Sequence, residues 1–156
     1  MEMPTLSAAH QALTILEGTW VGREKVYPSP FVPGGAEATG RVVNRSALDG
    51  FAIIQDYQQE TDGKVNFLGH GVFRWDASSR SYVLYWFDSF GLPPAEFTGN
   101  LAERVLRLTA SMPQGFARAT FDFSHSGHYH YLLEVSPDGE KWFPSMEGQY
   151  NRQNDL

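Results

Sequence analysis

Cysteine is absent from the 156 residues of this sequence. Disulfide bonds, zinc sites built from thiolates and thiol nucleophiles are therefore excluded. The absence is compatible with a reducing compartment, and we expect the protein to be cytoplasmic. The core must form by packing alone, and a chain of this length is long enough to bury one.

Long apolar runs and clusters of basic residues are also absent. Residues 1–18 contain neither a basic segment nor a long apolar stretch, so we expect no signal peptide and no membrane-spanning helix. The formal net charge of -6 comes from dispersed acidic residues. Because no basic cluster is present to contact a phosphate backbone, nucleic acid is not an expected partner.

Turn-forming and aromatic residues are plentiful. The chain has 15 glycines and 9 prolines, and 14% of its residues are aromatic. This composition is typical of many short strands joined by tight turns. The sequence shows no repeat, low-complexity tract or linker, so we predict a single domain over residues 1–156.

The segment Gly18-Thr19-Trp20-Val21-Gly22 marks the point where the hydrophobic period changes. Before it, apolar side chains recur at helical spacing and predict a short helix over about residues 7–16. After it, alternate residues share a face, which places Trp20 and Glu24 on the interior side of a strand. Gly22 is expected to leave room for a side chain packed over the indole.

About ten alternating segments run from this point to about residue 150. Asp49-Gly50 predicts a two-residue hairpin turn between a strand over about residues 39–48 and a returning strand over residues 51–60. Strands joined in sequence by short turns are typical of an up-and-down antiparallel barrel. We predict an all-β, lipocalin-like (calycin) barrel of about ten strands over residues 18–150, with the helix closing one end.

The parity of the connections predicts which loops meet at the open end. In an up-and-down barrel, alternate connections lie at the same end. The helix and the Asp49-Gly50 turn therefore share the closed end. The opposite end, which we call the mouth, is predicted to be surrounded by Phe31, Val32, Phe90, Leu92 and Met112.

Three sets of residues together resemble a bacterial family. They are His10-x-x-Leu13-x-x-Leu16-x-Gly18-x-Trp20-x-Gly22, then Gly69-x-Gly71 with Phe73-x-Trp75-Asp76, and Trp86-x-Asp88 before Gly91. The pattern extends over nearly the whole chain and resembles the family known only as a domain of unknown function (number 1579). Its opening Gly-x-Trp-x-Gly is similar to that of nitrobindin-like haem proteins. The resemblance implies a calycin barrel with a pocket, and it brings no catalytic residue to this sequence.

Our main hypothesis is that the barrel binds a small apolar or amphipathic ligand and is not an enzyme. The ligand would enter between the loops that carry Phe31 and Leu92, and Glu24 would be the internal polar contact. The candidate ligand-binding residues are Trp20, Glu24, Phe31, Val32, Phe67, Trp86, Asp88, Phe90, Leu92, Met112 and Tyr131.

Haem is an alternative ligand that the resemblance raises. It needs an axial ligand that points into the cavity, most often a neutral imidazole. The strand pattern instead predicts that His70, His128 and His130 point outward. His125, His128 and His130 could hold a metal, but their spacing is generic, and we assign no metal site and no cofactor.

Two further alternatives belong to other functional classes. Glu24 and Asp88 share strand faces with apolar residues, so each must be hydrogen-bonded, paired or protonated and could act as an acid or base in an enzyme. The strand of residues 81–90 is apolar on both faces. Because a barrel buries only one face, the face with Val83, Tyr85 and Phe87 could form a homodimer contact or a surface for another protein.

Overall fold

The computed structural model describes residues 1–154, and its ten antiparallel strands close into a barrel. Each strand pairs with its neighbours in sequence, and the first strand pairs with the last. The predicted up-and-down calycin-type barrel is therefore confirmed. The strands are β1 (Gly18–Val26), β2 (Ala36–Ala47), β3 (Ala52–Thr61), β4 (Lys64–Asp76), β5 (Ser81–Asp88), β6 (Ala95–Ala102), β7 (Val105–Met112), β8 (Gly115–Asp122), β9 (His128–Ser136) and β10 (Phe143–Arg152).

A short helical segment covers one end of the barrel, which we call the bottom. The α-helix α1 spans Ala8–Ala12 and continues as a 3₁₀ turn over Leu13–Leu16, so the helix predicted over residues 7–16 is divided in two. Leu13 and Leu16 are buried in the barrel core. The Tyr82 hydroxyl of β5 donates a hydrogen bond to the Ala9 carbonyl oxygen at 2.7 Å. The helix thus closes the bottom, as the sequence predicted.

The predicted inward faces are confirmed in most strands. Trp20 is 1% exposed, and Phe73, Phe121 and Tyr129 are buried in the same core. Alternate side chains of a strand point to opposite faces, and only the inward face is enclosed by the closed wall. Val135 is an exception, because it lies near the mouth end of β9 and is exposed although its parity predicts an inward side chain.

The connection between β2 and β3 differs from the predicted two-residue hairpin. Ala47 pairs with Ala52, so four residues connect the strands. They include a 3₁₀ turn over Leu48–Gly50, in which Leu48 and Asp49 have φ values of 54° and 56°. Asp tolerates this left-handed conformation because its side chain is short and polar. The strand predicted over residues 39–48 therefore ends one residue earlier, at Ala47. It also begins earlier than predicted, at Ala36.

Gly22 has a different role from the predicted one. It pairs with Gly40 of β2 and Tyr150 of β10. A methyl group on Gly22 would overlap the backbone carbonyl group of Gln149 in β10. Glycine is therefore needed for the close approach of β1 and β10, where the barrel closes, and not to leave space over the Trp20 indole.

The outward face of β5 is less available than the sequence predicted. Val83 is buried at 3% exposure between its strand partners Arg74 and Thr98. Tyr85 is half-buried and accepts a hydrogen bond from Arg74 Nε at 3.2 Å. Of the three outward apolar residues, Phe87 alone is exposed. The homodimer contact stays a prediction that now rests on one aromatic side chain.

Residues 1–154 include no helix with the length and hydropathy needed to cross a bilayer.

Candidate functional site

A cavity of about 410 Å³ extends from the mouth into the barrel. Its wall is largely aromatic and aliphatic, with a few amide, hydroxyl and carboxylate groups. The lining residues include Phe31, Val32, Gln55, Tyr57, Gln59, Phe67, Leu84, Trp86, Asp88, Phe90, Phe97, Phe121, Tyr129, Tyr131, Met146 and Tyr150. Both the volume and the mixture of an apolar wall with few polar groups are typical of small-molecule sites.

Aromatic rings from three strands and one loop continue from the mouth into the cavity. Phe90 follows β5 and lies 4.8 Å from Phe67 of β4, between ring centroids. The Tyr57 ring of β3 lies 6.0 Å from Phe67 and 6.3 Å from Trp86. Rings at these separations attract one another beyond the effect of burial alone. They therefore form a preformed apolar wall, which begins at the exposed Phe90 and continues into the interior.

The Phe31 and Val32 loop lies at the same end and is shaped by Ser29. The Ser29 hydroxyl accepts hydrogen bonds from the backbone N–H groups of Phe31 at 3.2 Å and Val32 at 3.1 Å. The Val32 carbonyl accepts the Gly35 N–H at 2.9 Å. Phe31 remains 92% exposed while it borders the cavity. The predicted apolar mouth is thus present in the structure for Phe31, Val32 and Phe90.

Leu92 and Met112 have a different position from these three residues. Leu92 lies in the connection between β5 and β6, and Met112 is the last residue of β7. Both positions are at the mouth end, as the strand parity requires, but neither side chain lines the cavity. Leu92 is 66% exposed and Met112 is 41% exposed. Their predicted contact with a ligand remains untested, and the cavity wall gives it no support.

Glu24 points inward from β1 and is buried among side chains of β3 and β10. Its carboxylate oxygens accept hydrogen bonds from the Tyr57 hydroxyl at 2.7 and 2.8 Å, from Gln59 Nε2 at 3.1 Å and from the Tyr150 hydroxyl. The Glu24 side chain lies over Gly40, where a methyl group would overlap the carboxylate. Glu24 does not line the cavity itself, but its three hydrogen-bond donors do.

Burial raises the pKa of the Glu24 carboxyl above its ordinary value of 4.5, although the hydrogen bonds from Tyr150, Tyr57 and Gln59 act in the opposite direction. Burial also raises the pKa of Tyr57, and the negative charge of Glu24 raises it further. The phenols therefore stay neutral and donate to the acid. Glu24 is thus a buried carboxyl group that is stabilised by hydrogen bonds from three neutral donors.

This burial predicts how stability depends on pH. Because the pKa of Glu24 is raised in the folded protein, proton binding favours folding, so the protein loses stability as pH rises from the unfolded pKa through the folded pKa. Glu24→Gln removes this titration. Chemical denaturation from about pH 4 to about pH 8 should show the free energy of unfolding of wild type falling relative to that of Glu24→Gln.

Glu37→Gln serves as the control for that experiment, because Glu37 is exposed on β2 and the substitution removes the same formal charge. Its difference from wild type should change much less over the same pH range. A wild-type protein that gains stability relative to Glu24→Gln as pH rises would contradict the predicted direction of the Glu24 shift.

Asp88 lies at the mouth, where its carboxylate is held by two donors. Trp86 Nε1 donates to Oδ2 at 2.9 Å, and the Phe90 backbone N–H donates to Oδ1 at 3.0 Å. The Trp86 ring lies against Gly69, where a methyl group would overlap the indole. Asp88 thus fixes both the indole on the cavity wall and the start of the loop after β5, and it keeps a negative charge at the entrance.

Trp20 lies below the cavity and not in its wall. Its indole Nε1 donates to the Leu16 carbonyl oxygen at 3.0 Å, and Asn44 Nδ2 donates to the same oxygen at 2.9 Å. Gln55 Nε2 donates to Asn44 Oδ1 at 3.0 Å. The structure therefore assigns Trp20 to the core that joins the helix to the barrel, and the sequence prediction of a ligand contact there gains no support.

The histidines of the strands point outward, as predicted. His70 Nδ1 lies 2.8 Å from Asp56, and His130 Nε2 lies 3.1 Å from Glu147. His128 contacts Asn151 and Gln149 through its two ring nitrogens. No group of three or more potential metal-binding His, Asp or Glu side chains occurs in the described part of the chain.

The sequence reasoning missed the residues that hold Glu24 and the polar part of the wall. Tyr57 and Gln59 lie on the inward face of β3 together with Gln55, and Tyr150 lies on the inward face of β10. The signal was present, because polar side chains at alternate positions of an otherwise apolar face indicate interior polar groups. Their contact with Glu24 depends on strand pairing, across β2 for Tyr57 and Gln59 and through the closure of β1 on β10 for Tyr150.

The closed antiparallel barrel, with a cavity open at one end, defines a calycin-like protein. The chain belongs to the family described as a protein of unknown function (DUF1579), whose model matches residues 5–152. No curated protein matches the chain by sequence.

Two solved structures share the fold. The crystal structure of Rv2717c from M. tuberculosis has a TM-score of 0.74 and 20% sequence identity, and the match covers 96% of this chain and 100% of that one. The S-type phycobiliprotein lyase CPES from Guillardia theta has a TM-score of 0.64 and 10% identity, with 97% and 95% coverage. At these identities the likeness shows the fold alone, a calycin-like barrel.

Proposed function

We propose that this protein binds a small apolar or amphipathic molecule inside the barrel and does not transform it. The observation that carries the proposal is the cavity of about 410 Å³ with its aromatic wall. Pockets of this size bury most of the surface of a small ligand, and burial of apolar surface is the main favourable contribution to such binding. The likeness to calycin-like barrels is compatible with a ligand site in the barrel interior.

The mouth supports entry of an apolar molecule. Phe31, at 92% exposure, and Phe90, at 70%, border the cavity from two different loops. Large apolar side chains grouped at an opening, and not scattered over the surface, are characteristic of binding sites. A ligand would cover these rings as it enters and would then contact Phe67 and Trp86 in the interior.

The geometry favours binding of an apolar ligand over the haem hypothesis and the enzyme hypothesis. Within residues 1–154, no histidine lines the cavity, so the usual axial ligand of haem is missing from its wall. Both oxygens of Glu24 already accept hydrogen bonds from protein groups, and the two oxygens of Asp88 do so as well. A catalytic acid or base must instead reach the proton that it transfers.

The proposal is tested by fluorescence titration with N-phenyl-1-naphthylamine, an apolar probe whose emission increases in an apolar site. Wild type should bind the probe saturably. Ala119→Phe should weaken binding at least about tenfold, because Ala119 lines the cavity from β8 and a ring at this position would fill it. Native mass spectrometry of the purified protein examines the same site for a bound molecule.

Ala77→Phe is the matched control, because Ala77 is exposed in the turn between β4 and β5 at the bottom of the barrel. It should bind the probe as wild type does, and thermal unfolding verifies that both variants are folded. If wild type binds no probe and carries no molecule, or if Ala119→Phe and Ala77→Phe bind equally well, the cavity is not a ligand site.

A further inference from the structure

The charges around the cavity are of one sign. Among the residues that the structure describes, no lysine, arginine or histidine lines the cavity, whereas Asp88 lies at its mouth. A second carboxyl group, Glu24, lies immediately behind the Tyr57 and Tyr150 hydroxyls of the wall. An anionic ligand group would therefore enter without a positively charged partner and would approach two acidic side chains.

The hydroxyl groups of the wall that contact Glu24 present acceptors to the cavity. The Tyr57 and Tyr150 hydroxyl hydrogens are directed to Glu24, and the Tyr57 oxygen also accepts a hydrogen bond from Gln59 Nε2 at 3.1 Å. The lone pairs left on these two oxygens can only accept hydrogen bonds from a ligand. Gln59 Nε2 also donates to Glu24, at 3.1 Å. Gln55 donates one Nε2 hydrogen to Asn44, so its carbonyl oxygen and its second Nε2 hydrogen are left for a ligand.

The remaining donors of the wall are uncharged. The Tyr129 and Tyr131 side chains also line the cavity, and each hydroxyl is an uncharged donor. Burial raises the pKa of Tyr131, so its phenol stays neutral. These hydroxyls can donate to a neutral oxygen of a ligand, but they cannot neutralise a carboxylate.

Burial of a charge without a partner is costly, whereas a neutral hydroxyl or an amine finds acceptors at this wall. A protonated amine would also be attracted by Asp88 at the entrance and by the acid behind Tyr57. The favourable polar end of a ligand is therefore one that donates hydrogen bonds.

We propose that the cavity selects amphipathic molecules whose polar end is a hydrogen-bond donor, an alcohol or an amine, over molecules of the same shape that end in a carboxylate. This inference rests on the proposed function, because it names the class of ligand for the same cavity. The selectivity resides in Glu24 with its tyrosine partners and in Asp88.

The test compares three compounds that share one aromatic ring system: 1-naphthalenemethanol, 1-naphthylmethylamine and 1-naphthoic acid. Each displaces N-phenyl-1-naphthylamine from wild type at about pH 7.5, where the amine is protonated and the acid is ionised. The alcohol and the amine should bind at least about tenfold more tightly than the acid. Glu24→Gln and Asp88→Asn should each reduce this ratio, whereas Glu37→Gln, with the same change of net charge at an exposed position, should preserve it.

The outcomes separate the two proposals. Probe binding that Ala119→Phe removes, together with acid affinity equal to that of the alcohol, keeps the ligand site and overturns the selectivity. A ratio that neither Glu24→Gln nor Asp88→Asn reduces also overturns it, since the named carboxyl groups then do not cause it. Absence of probe binding together with absence of a molecule carried by the purified protein overturns the proposed function itself.

Discussion

Replacing Trp20 with alanine is expected to lower the free energy of unfolding by about 3–5 kcal/mol, measured by urea denaturation. The indole is fully buried and packs edge-on against Phe123 and Tyr129, with ring centroids 5.6 and 5.0 Å away. Its removal leaves a cavity that the surrounding strands cannot fill. The Leu16 carbonyl also loses one of its two hydrogen-bond donors, which weakens the attachment of the helix to the barrel.

Trp142→Ala is the control for this prediction. Trp142 is half-buried between β9 and β10, and its ring lies 4.2 Å from the guanidinium carbon of Arg118. Its loss should cost about 1 kcal/mol, as an exposed cation-π contact is worth no more. If the two tryptophan variants were equally destabilised, Trp20 would not be the centre of the bottom core.

Gly22→Ala is expected to destabilise the fold by about 3 kcal/mol or more. A steric overlap with the backbone can be relieved only by moving the strands apart, which breaks their pairing. The added methyl group would overlap the Gln149 carbonyl group, which cannot rotate away as a side chain could. β1 and β10 would have to separate at the point where the barrel closes. Denaturation, together with hydrogen exchange of β1 and β10 amides, would measure both effects.

Gly34→Ala is the matched control, because a methyl group on Gly34 would meet no atom within 4 Å. Its free energy of unfolding should stay within about 0.5 kcal/mol of wild type. A Gly22→Ala protein as stable as Gly34→Ala would show that β1 and β10 do not approach as closely as the structure places them.

Much of the fold was predictable because the interior of a barrel is enclosed. An enclosed interior imposes a period of two on every strand, and this period is visible in the residues around Trp20 and Phe73. Turns were less predictable, since Asp49-Gly50 is compatible with several loop lengths and the pairing of Ala47 with Ala52 decides among them. The parity of the connections correctly placed the Phe31 loop and Phe90 at one end.

The candidate site was only partly predictable. Glu24 was identified as an interior carboxyl group from its strand face. Trp86 and Tyr131, which were predicted to contact a ligand, lie in the cavity wall, and that contact stays a prediction. Trp20 was placed in the cavity, although the helix draws its indole to the bottom through Leu16. Local alternation predicts which face of the strand a residue occupies. It does not predict how far from the mouth the cavity extends along the barrel axis.

The sequence by itself determined the class of fold, the inward faces and the identity of the buried acid, because these depend on local alternation and on turn residues. The tertiary structure alone decided which groups hold that acid. Tyr57 is 33 residues from Glu24 in the chain and Tyr150 is 126 residues away. Tyr57 reaches Glu24 across Gly40 of β2, whereas Tyr150 reaches it only because β1 pairs with β10 and closes the wall. Both hydroxyl groups then donate to the carboxylate.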